Sequence, residues 1–280
     1  MLEKHFVAIS GISNMQQLEG IKTICNKEKI NFPICIGYQV SNKSINQDVA
    51  NPRQPLFADL RELSQRTEAY DFIPAFHYYT KDPLTVVGDL EKITKKVDFL
   101  NRPTIQFNTL PPDAEILLKA QKMGFRIILK VAVSDKSSGG YAVWKGDGVQ
   151  DVSSGEVAPL VGQILERKDF ADYVMFDPSQ GTNLELDLSE DSLAIRFGKE
   201  VRSRPELKHC GLVYAGGISV SNVGEVARTL HSFFPNRSKA LYSTFPNGFS
   251  IDIESGVRTD NELDLSLVRK YLIGYAEAME

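Results

Sequence analysis

Gly211-Leu212-Val213-Tyr214-Ala215-Gly216-Gly217-Ile218-Ser219-Val220-Ser221-Asn222-Val223 reads as one complete structural unit. An apolar run forms a strand over 209–215. Two glycines end it, and a hydroxyl-rich turn opens a helix predicted over 219–234. Glycine lets backbone N–H groups approach an anion closely. The helix start adds unsatisfied donors and a favourable dipole. The unit is therefore a strand, an anion-competent turn and a crossover helix.

The same grammar repeats outward in both directions. Strands are predicted near 6–10, 33–40, 71–79, 103–109, 125–133, 172–177, 209–215 and 248–254. Helices follow at roughly 14–29, 55–69, 82–97, 112–123, 156–168, 190–204, 219–234 and 263–279. Such alternation implies parallel strands joined by helices. In the first helix Ser13 and Gln16 suggest a capping box, and Met15, Leu18, Ile21 and Cys25 form one apolar stripe. Gly124 is placed to stop the fourth helix. Eight units favour closure into a single (β/α)8 TIM barrel over residues 1–280, with extended loops. An open doubly wound sheet would more often carry a GxGxxG loop after its first strand; Ser10-Gly11-Ile12-Ser13 stands there instead.

Strand parity sorts the side chains. Val7 and Ile9, Ile105 and Phe107, Ile127 and Leu129, Val174 and Phe176, and Ile251 and Ile253 form one apolar set to face the helices. The opposite parity then turns Ser10, Gln106, Asn108, Lys130, Asp177, Asp252 and Glu254 inward, most of them near strand C-termini. Charges are buried at a cost unless they are paired or used, and this end of a barrel carries its active sites. A second glycine turn, Glu254-Ser255-Gly256, follows the eighth strand. Turns after strands seven and eight are the common phosphate site of the fold, so Gly216, Gly217, Ser219, Ser255 and Gly256 are the candidate phosphate ligands of a phosphorylated small-molecule substrate.

Bulk properties narrow the classes. The chain of 280 residues is 42% hydrophobic and 24% charged with net charge −4, which argues against a general nucleic-acid binder. Cys25, Cys35 and Cys210 form no CxxC pair, which fits a reducing cytoplasm and no disulfide framework. The opening residues lack the apolar core of a signal peptide, and no run is long enough to span a membrane. His5, His209 and His231 have no metal-ligand spacing, and no cofactor motif is present. His77, near the end of the third strand, is placed for acid–base work or, the more common case, for a hydrogen-bonded core position. The segment from Ser137 to Gly148 reads as a lid or a passive insertion over the fifth strand.

Several of these motifs resemble one family in order along the chain. Val7-Ala8-Ile9-Ser10-Gly11-Ile12 is similar to the opening K-I-C-G-I of phosphoribosylanthranilate isomerase, the tryptophan-biosynthesis barrel. Asp177 with Gly181-Thr182-Asn183 and Asp187 resembles its sixth-strand aspartate and following loop. Ala215-Gly216-Gly217-Ile218 with Asn222-Val223 resembles A-G-G-L…N-V. Asp252-Ile253-Glu254-Ser255-Gly256-Val257, with Asp264 beyond, resembles D-V-S-S-G-V…K-D.

The resemblance implies an Amadori rearrangement, in which an aldose carrying an arylamine becomes a 1-amino-1-deoxyketose. It makes Asp177 the general acid, puts Ser10 where the family has a basic cysteine, and matches Arg53 to an arginine that holds a substrate carboxylate. A serine hydroxyl is a poor base unless another group activates it; Glu254 and Asp252 are the nearby carboxylates. Asn108, Lys130, Asp252 and Arg53 complete the expected substrate contacts. The chain is longer than a typical member, with the excess near 38–54, 134–155 and 235–247. Two alternatives remain open: a Schiff-base aldolase or lyase using Lys130, and a non-catalytic barrel that binds a phosphorylated ligand.

Overall fold

The computed structural model describes residues 5–49, 51–98, 101–108, 112–135, 140–145, 148–153, 156–178, 185–235 and 248–280. The order is β1 (Val7–Ser10), α1 (Met15–Lys27), β2 (Ile34–Ser41), α2 (Asn42–Gln47), α3 (Leu60–Ala69), β3 (Ile73–Tyr79), α4 (Val86–Val97) and β4 (Thr104–Phe107). Then come α5 (Ala114–Lys122), β5 (Arg126–Asp135), β6 (Gly140–Lys145), β7 (Gly148–Ser153), α6 (Ala158–Leu165), β8 (Tyr173–Asp177), α7 (Leu193–Ser203) and β9 (Gly211–Ala215). The chain ends with α8 (Val223–Phe233), β10 (Ser250–Ile253), the short pair β11 (Arg258–Thr259) and β12 (Glu262–Leu263), and α9 (Leu265–Met279).

Eight parallel strands close into a TIM barrel. The ring runs β1-β2-β3-β4-β5-β8-β9-β10, sealed where β4 pairs with β5 and where β1 pairs with β10, Val7 opposite Ile251. All eight barrel strands lie where sequence periodicity puts them, within a few residues at either end.

Parity holds throughout the ring. Val7, Ile9, Ile105, Phe107, Leu129, Val174 and Phe176 belong to the large core between sheet and helices. A separate inner cluster contains Phe6, Ala8, Ile128, Tyr173, Met175 and Val213. Followed from N- to C-terminal end, the inward positions change character: Phe6, Ala8, Ser10 around β1; Tyr173, Met175, Asp177 on β8; Ile128, Lys130 on β5. The barrel floor is thus apolar, closed by an edge-to-face contact of Phe6 and Tyr173 at 5.3 Å, and its mouth is polar. Burying apolar groups below is favourable, while the charges stay at the end that opens to the loops.

Local differences from the sequence reading have physical causes. The cap of α1 is Asn14, one residue after the expected Ser13: its side chain accepts the Gln17 N–H at 3.0 Å, and Gln17 Oε1 accepts the Ser13 N–H at 2.8 Å. The expected excess at 38–54 is partly structured, since β2 runs to Ser41 and α2 follows with its own Ser41–Ser44 capping box. The insertion after the fifth strand is a β-hairpin: β6 pairs with the end of β5 and with β7, Lys145 opposite Gly148. The intervening Gly146-Asp147 is a two-residue hairpin signal that the lid reading overlooked. Gly124 does end its helix, in the left-handed region at φ 96. The sixth-strand loop motif Gly181-Thr182-Asn183 and most of the 235–247 excess lie outside the described residues.

Candidate active site

Two hydrogen-bonded pairs occupy the mouth. On adjacent strands β1 and β10, Ser10 Oγ donates to Asp252 Oδ1 at 2.6 Å. Both residues are buried, Ser10 fully. On adjacent strands β5 and β8, Lys130 Nζ meets Asp177 Oδ2 at 2.5 Å. Inward parity therefore does bring Ser10, Lys130, Asp177 and Asp252 to one end of the barrel, as expected. Gln106 Nε2, on β4, donates to Asn108 Oδ1 at 2.7 Å, and Gln106 Oε1 is buried with no hydrogen-bond partner among the described residues.

The electrostatics separate the carboxylates. Burial pushes Asp252 up to about 6; the Ser10 hydrogen bond opposes this, Asp177 adds to it, and Lys130 opposes it. Lys130 and Asp177 form an ion pair at 2.5 Å, the opposite charge that each needs in so enclosed a place. Glu254 faces a different partner: Arg53 Nη1 donates to its Oε1 at 3.0 Å, and Arg53 Nη2 donates to Asn261 Oδ1 at 2.7 Å. The second-loop arginine and the eighth-strand glutamate thus neutralise each other at the rim.

One residue of this mouth escaped the sequence reading, and a second was read there chiefly as part of the core. Arg258, on β11, donates to the carbonyls of Ser10, Gly11, Pro52 and Asn261. It ties the first loop, the second loop and the β11–β12 turn together. Gly11, at φ 80, passes so close to its guanidinium that a Cβ there would overlap Nη2. Nothing in β-strand parity points to Arg258, because β11 lies outside the barrel. The second is His77 on β3. It is buried, with its Nε2 turned toward Ser10 and Gly37. The lone glycine inside β2, Gly37, was the available signal, since such a glycine marks a close approach: a Cβ at Gly37 would overlap Ser10 Oγ and stand 3.0 Å from His77 Nε2.

The two glycine turns pack on each other. Ser219 and Gly256 form a parallel bridge, and a Cβ at Gly256 would overlap Ile218 O and lie 2.8 Å from Ser219 Cα. Gly216 and Gly217 both have positive φ, 95 and 62. Asn222 closes the turn from within, accepting the Ser219 N–H at 2.8 Å and donating to Gly217 O at 2.9 Å. Ser255 is exposed beside it. Asp264 caps α9, accepting the Ser266 and Leu267 N–H groups, and is no part of the mouth's charge cluster. Among the described residues no group of three or more His, Cys, Asp or Glu side chains is arranged to hold a metal ion, and no helix is long and apolar enough to cross a membrane.

Compared with known proteins, the sequence matches no family model and no curated relative. Solved structures do resemble it. N-(5'-phosphoribosyl)anthranilate isomerase from Pyrococcus furiosus matches with TM-score 0.56 and 16% identity, over 98% of this chain and 99% of that one. The tryptophan synthase alpha subunit from Legionella pneumophila matches with TM-score 0.57 and 11% identity, over 99% and 93%. Phospho-2-dehydro-3-deoxyheptonate aldolase from Thermotoga maritima matches with TM-score 0.55 and 11% identity, over 98% and 68%. The likeness is one of fold. It unites this chain with barrels of different chemistry, so function rests on the side chains of the mouth.

Proposed function

We propose that the protein is an isomerase acting on a phosphorylated sugar derivative, by an Amadori-type movement of a proton between neighbouring carbons. The observation that carries this reading is the Ser10–Asp252 pair: a buried carboxyl, pushed up to about 6, beside a hydroxyl at the position matching the family's base. A group that titrates near neutrality both takes and returns a proton efficiently. Asp252 is therefore the base, with Ser10 orienting it, and Glu254 is set aside by Arg53. Gly216, Gly217, Ser219, Ser255 and Gly256 hold the phosphate. Two of the three structural neighbours carry a phosphorylated compound in their names, which is in keeping with that assignment.

The protons balance. As the bond from C1 to the ring oxygen breaks, that oxygen takes a proton from the Lys130–Asp177 pair and C1 becomes an iminium carbon. Asp252 removes the C2 proton, giving an enaminol. The C2 hydroxyl then returns its proton to the Lys130–Asp177 pair, Asp252 protonates C1, and C2 becomes a carbonyl. Asp177 so acts jointly with Lys130, not alone as the resemblance implied. A Schiff base at Lys130 is the rival reading, and borohydride with a carbonyl substrate is expected to leave Lys130 unmodified.

The test is turnover of phosphoribosylanthranilate and other phosphorylated N-substituted ribosylamines in deuterated water. A ketose product is expected, with deuterium at C1 to the extent that the proton on Asp252 exchanges with solvent before its return, and Asp252→Asn reducing the rate by at least ~10²-fold. If wild type and Ser10→Cys both leave every such substrate unchanged, the isomerase assignment is wrong.

A further inference from the structure

We infer that Gln106 is a further substrate-contacting residue that sets specificity, its side-chain oxygen accepting the N–H carried by the anomeric carbon of an N-substituted phosphosugar. This deepens the isomerase reading and rests on it.

The observation is an unused acceptor. Gln106 stands inside the barrel: its register partners on β3 and β5 are His77 and Ile128, and Ile128 belongs to the inner cluster. The residue is 3% exposed. Its Nε2 donates to Asn108 Oδ1 at 2.7 Å, which leaves the carbonyl end of the amide as the free one, and Oε1 is buried with no hydrogen-bond partner among the described residues. Such a group is destabilising, and folded interiors rarely keep one. A donor on a ligand would complete it. Asn108, two residues nearer the loops, is only partly buried, so the amide pair runs from the interior toward the opening.

The ring of strands says which part of a ligand lies there. The proposed phosphate turns follow β9 and β10, and β4 is the fourth strand from β10 in either direction round the barrel. A sugar phosphate anchored at those turns extends its other end across the mouth. In a 5-phosphoribosylamine that end is C1 with its nitrogen. When the sugar ring opens, positive charge spreads over C1 and the nitrogen, and the N–H becomes a stronger donor; hydrogen bonds with one charged partner are the stronger kind. Loss of the C2 proton returns the nitrogen to neutrality and the bond relaxes. Gln106 thus favours the iminium without giving or taking a proton. A carboxamide also adds no further negative charge to a mouth that already holds Asp177, Asp252 and Glu254.

The probes are two stable alditols, 1-anilino-1-deoxyribitol 5-phosphate and its 1-phenoxy counterpart, in which oxygen replaces the N–H, with inorganic phosphate as reference. Calorimetry gives the ratio of amine to ether affinity. That ratio is expected to fall ~10-fold from wild type to Gln106→Met, which has similar length and no such acceptor, while phosphate binds both proteins alike. Gln106→Glu, which keeps an acceptor, should retain most of the ratio. An unchanged ratio in Gln106→Met overturns the role of Gln106 and leaves the isomerase reading, judged by turnover, standing. Wild type binding both alditols no better than inorganic phosphate overturns the two together. Should Gln106→Met fail to fold, the wild type decides: the carbon-13 resonance of the Gln106 side-chain carbonyl should move downfield with the amine and not with the ether, and equal shifts reject the inference.

Discussion

Burial favours the neutral form of both His77 and Asp252, but their effects on stability run in opposite directions with pH. Asp252 is raised from 3.8 to about 6, so the folded state holds its proton longer, and its contribution to stability falls as pH climbs from about 4 to 6. His77 is lowered from 6.5 to about 4, so the unfolded state binds its proton first, and its contribution is lost as pH drops from 6.5 toward 4. Asp252→Asn should therefore gain stability over wild type as pH rises from about 4 to 6, by about 3 kcal/mol at pH 7, while losing activity. His77→Gln should gain over wild type as pH falls below 6.5. Urea titrations at pH 4.5, 6 and 7.5 read both; matching pH dependences for the two variants would refute these assignments. The Lys130–Asp177 pair makes a separate claim. Lys130→Met removes the ammonium beside a buried carboxylate and should cost about 3 kcal/mol, and adding Asp177→Leu should recover most of that. The inward position of Lys130, Asp177, Asp252 and Ser10 was legible from strand alternation alone. Their pairing was not, because parity gives a direction and pairing depends on which strands become neighbours when the ring closes. The roles changed accordingly: Asp177 gained an ammonium, Glu254 a guanidinium, and Asp252 was left as the carboxyl that titrates near neutrality.

At the scale of elements, the turns after β9 and β10 act as one piece. Gly256→Ala drives a Cβ into backbone atoms of Ile218 and Ser219, which have no rotamer to change. It is expected to destabilise by roughly 1–3 kcal/mol and, with phosphate held between these turns, to weaken phosphate binding about tenfold, as calorimetry would show. Gly88→Ala is the contrast. Gly88 lies within α4 with nothing near its absent Cβ, so alanine should stabilise the helix by about 0.5–1 kcal/mol. Undiminished phosphate affinity in Gly256→Ala would remove the proposed anion site. Strands and helices were readable because apolar spacing records which face is buried, and Gly216-Gly217 was readable because positive φ demands glycine. Arg258 was opaque: it acts through carbonyl oxygens of Ser10, Gly11, Pro52 and Asn261, and carbonyls leave no mark in a sequence. The β6–β7 hairpin was readable from Gly146-Asp147 between alternating residues, and was passed over because the segment was read only as a lid or a passive insertion.

Taken as a whole molecule, the barrel closes without the hairpin, since β5 continues from its pairing with β4 and β8 into β6 only at its far end. Replacing 137–152 by a short glycine–serine link should leave a cooperative melt within a few degrees of wild type; loss of the transition would mean the hairpin belongs to the core. Closure itself depends on the two ends of the chain. Ser10 and Asp252 are separated by 242 positions yet form one hydrogen bond. During synthesis at about 5–20 residues per second, the first strand leaves the ribosome roughly 12–50 s before its partner exists. For that interval β1 has an open edge, and the mouth has a serine without its carboxylate. A ribosome that stalls or terminates before residue 250 releases a nearly full-length chain with every helix but the last and no site at all, so truncated products of this gene should be inert and in need of a chaperone rather than weakly active.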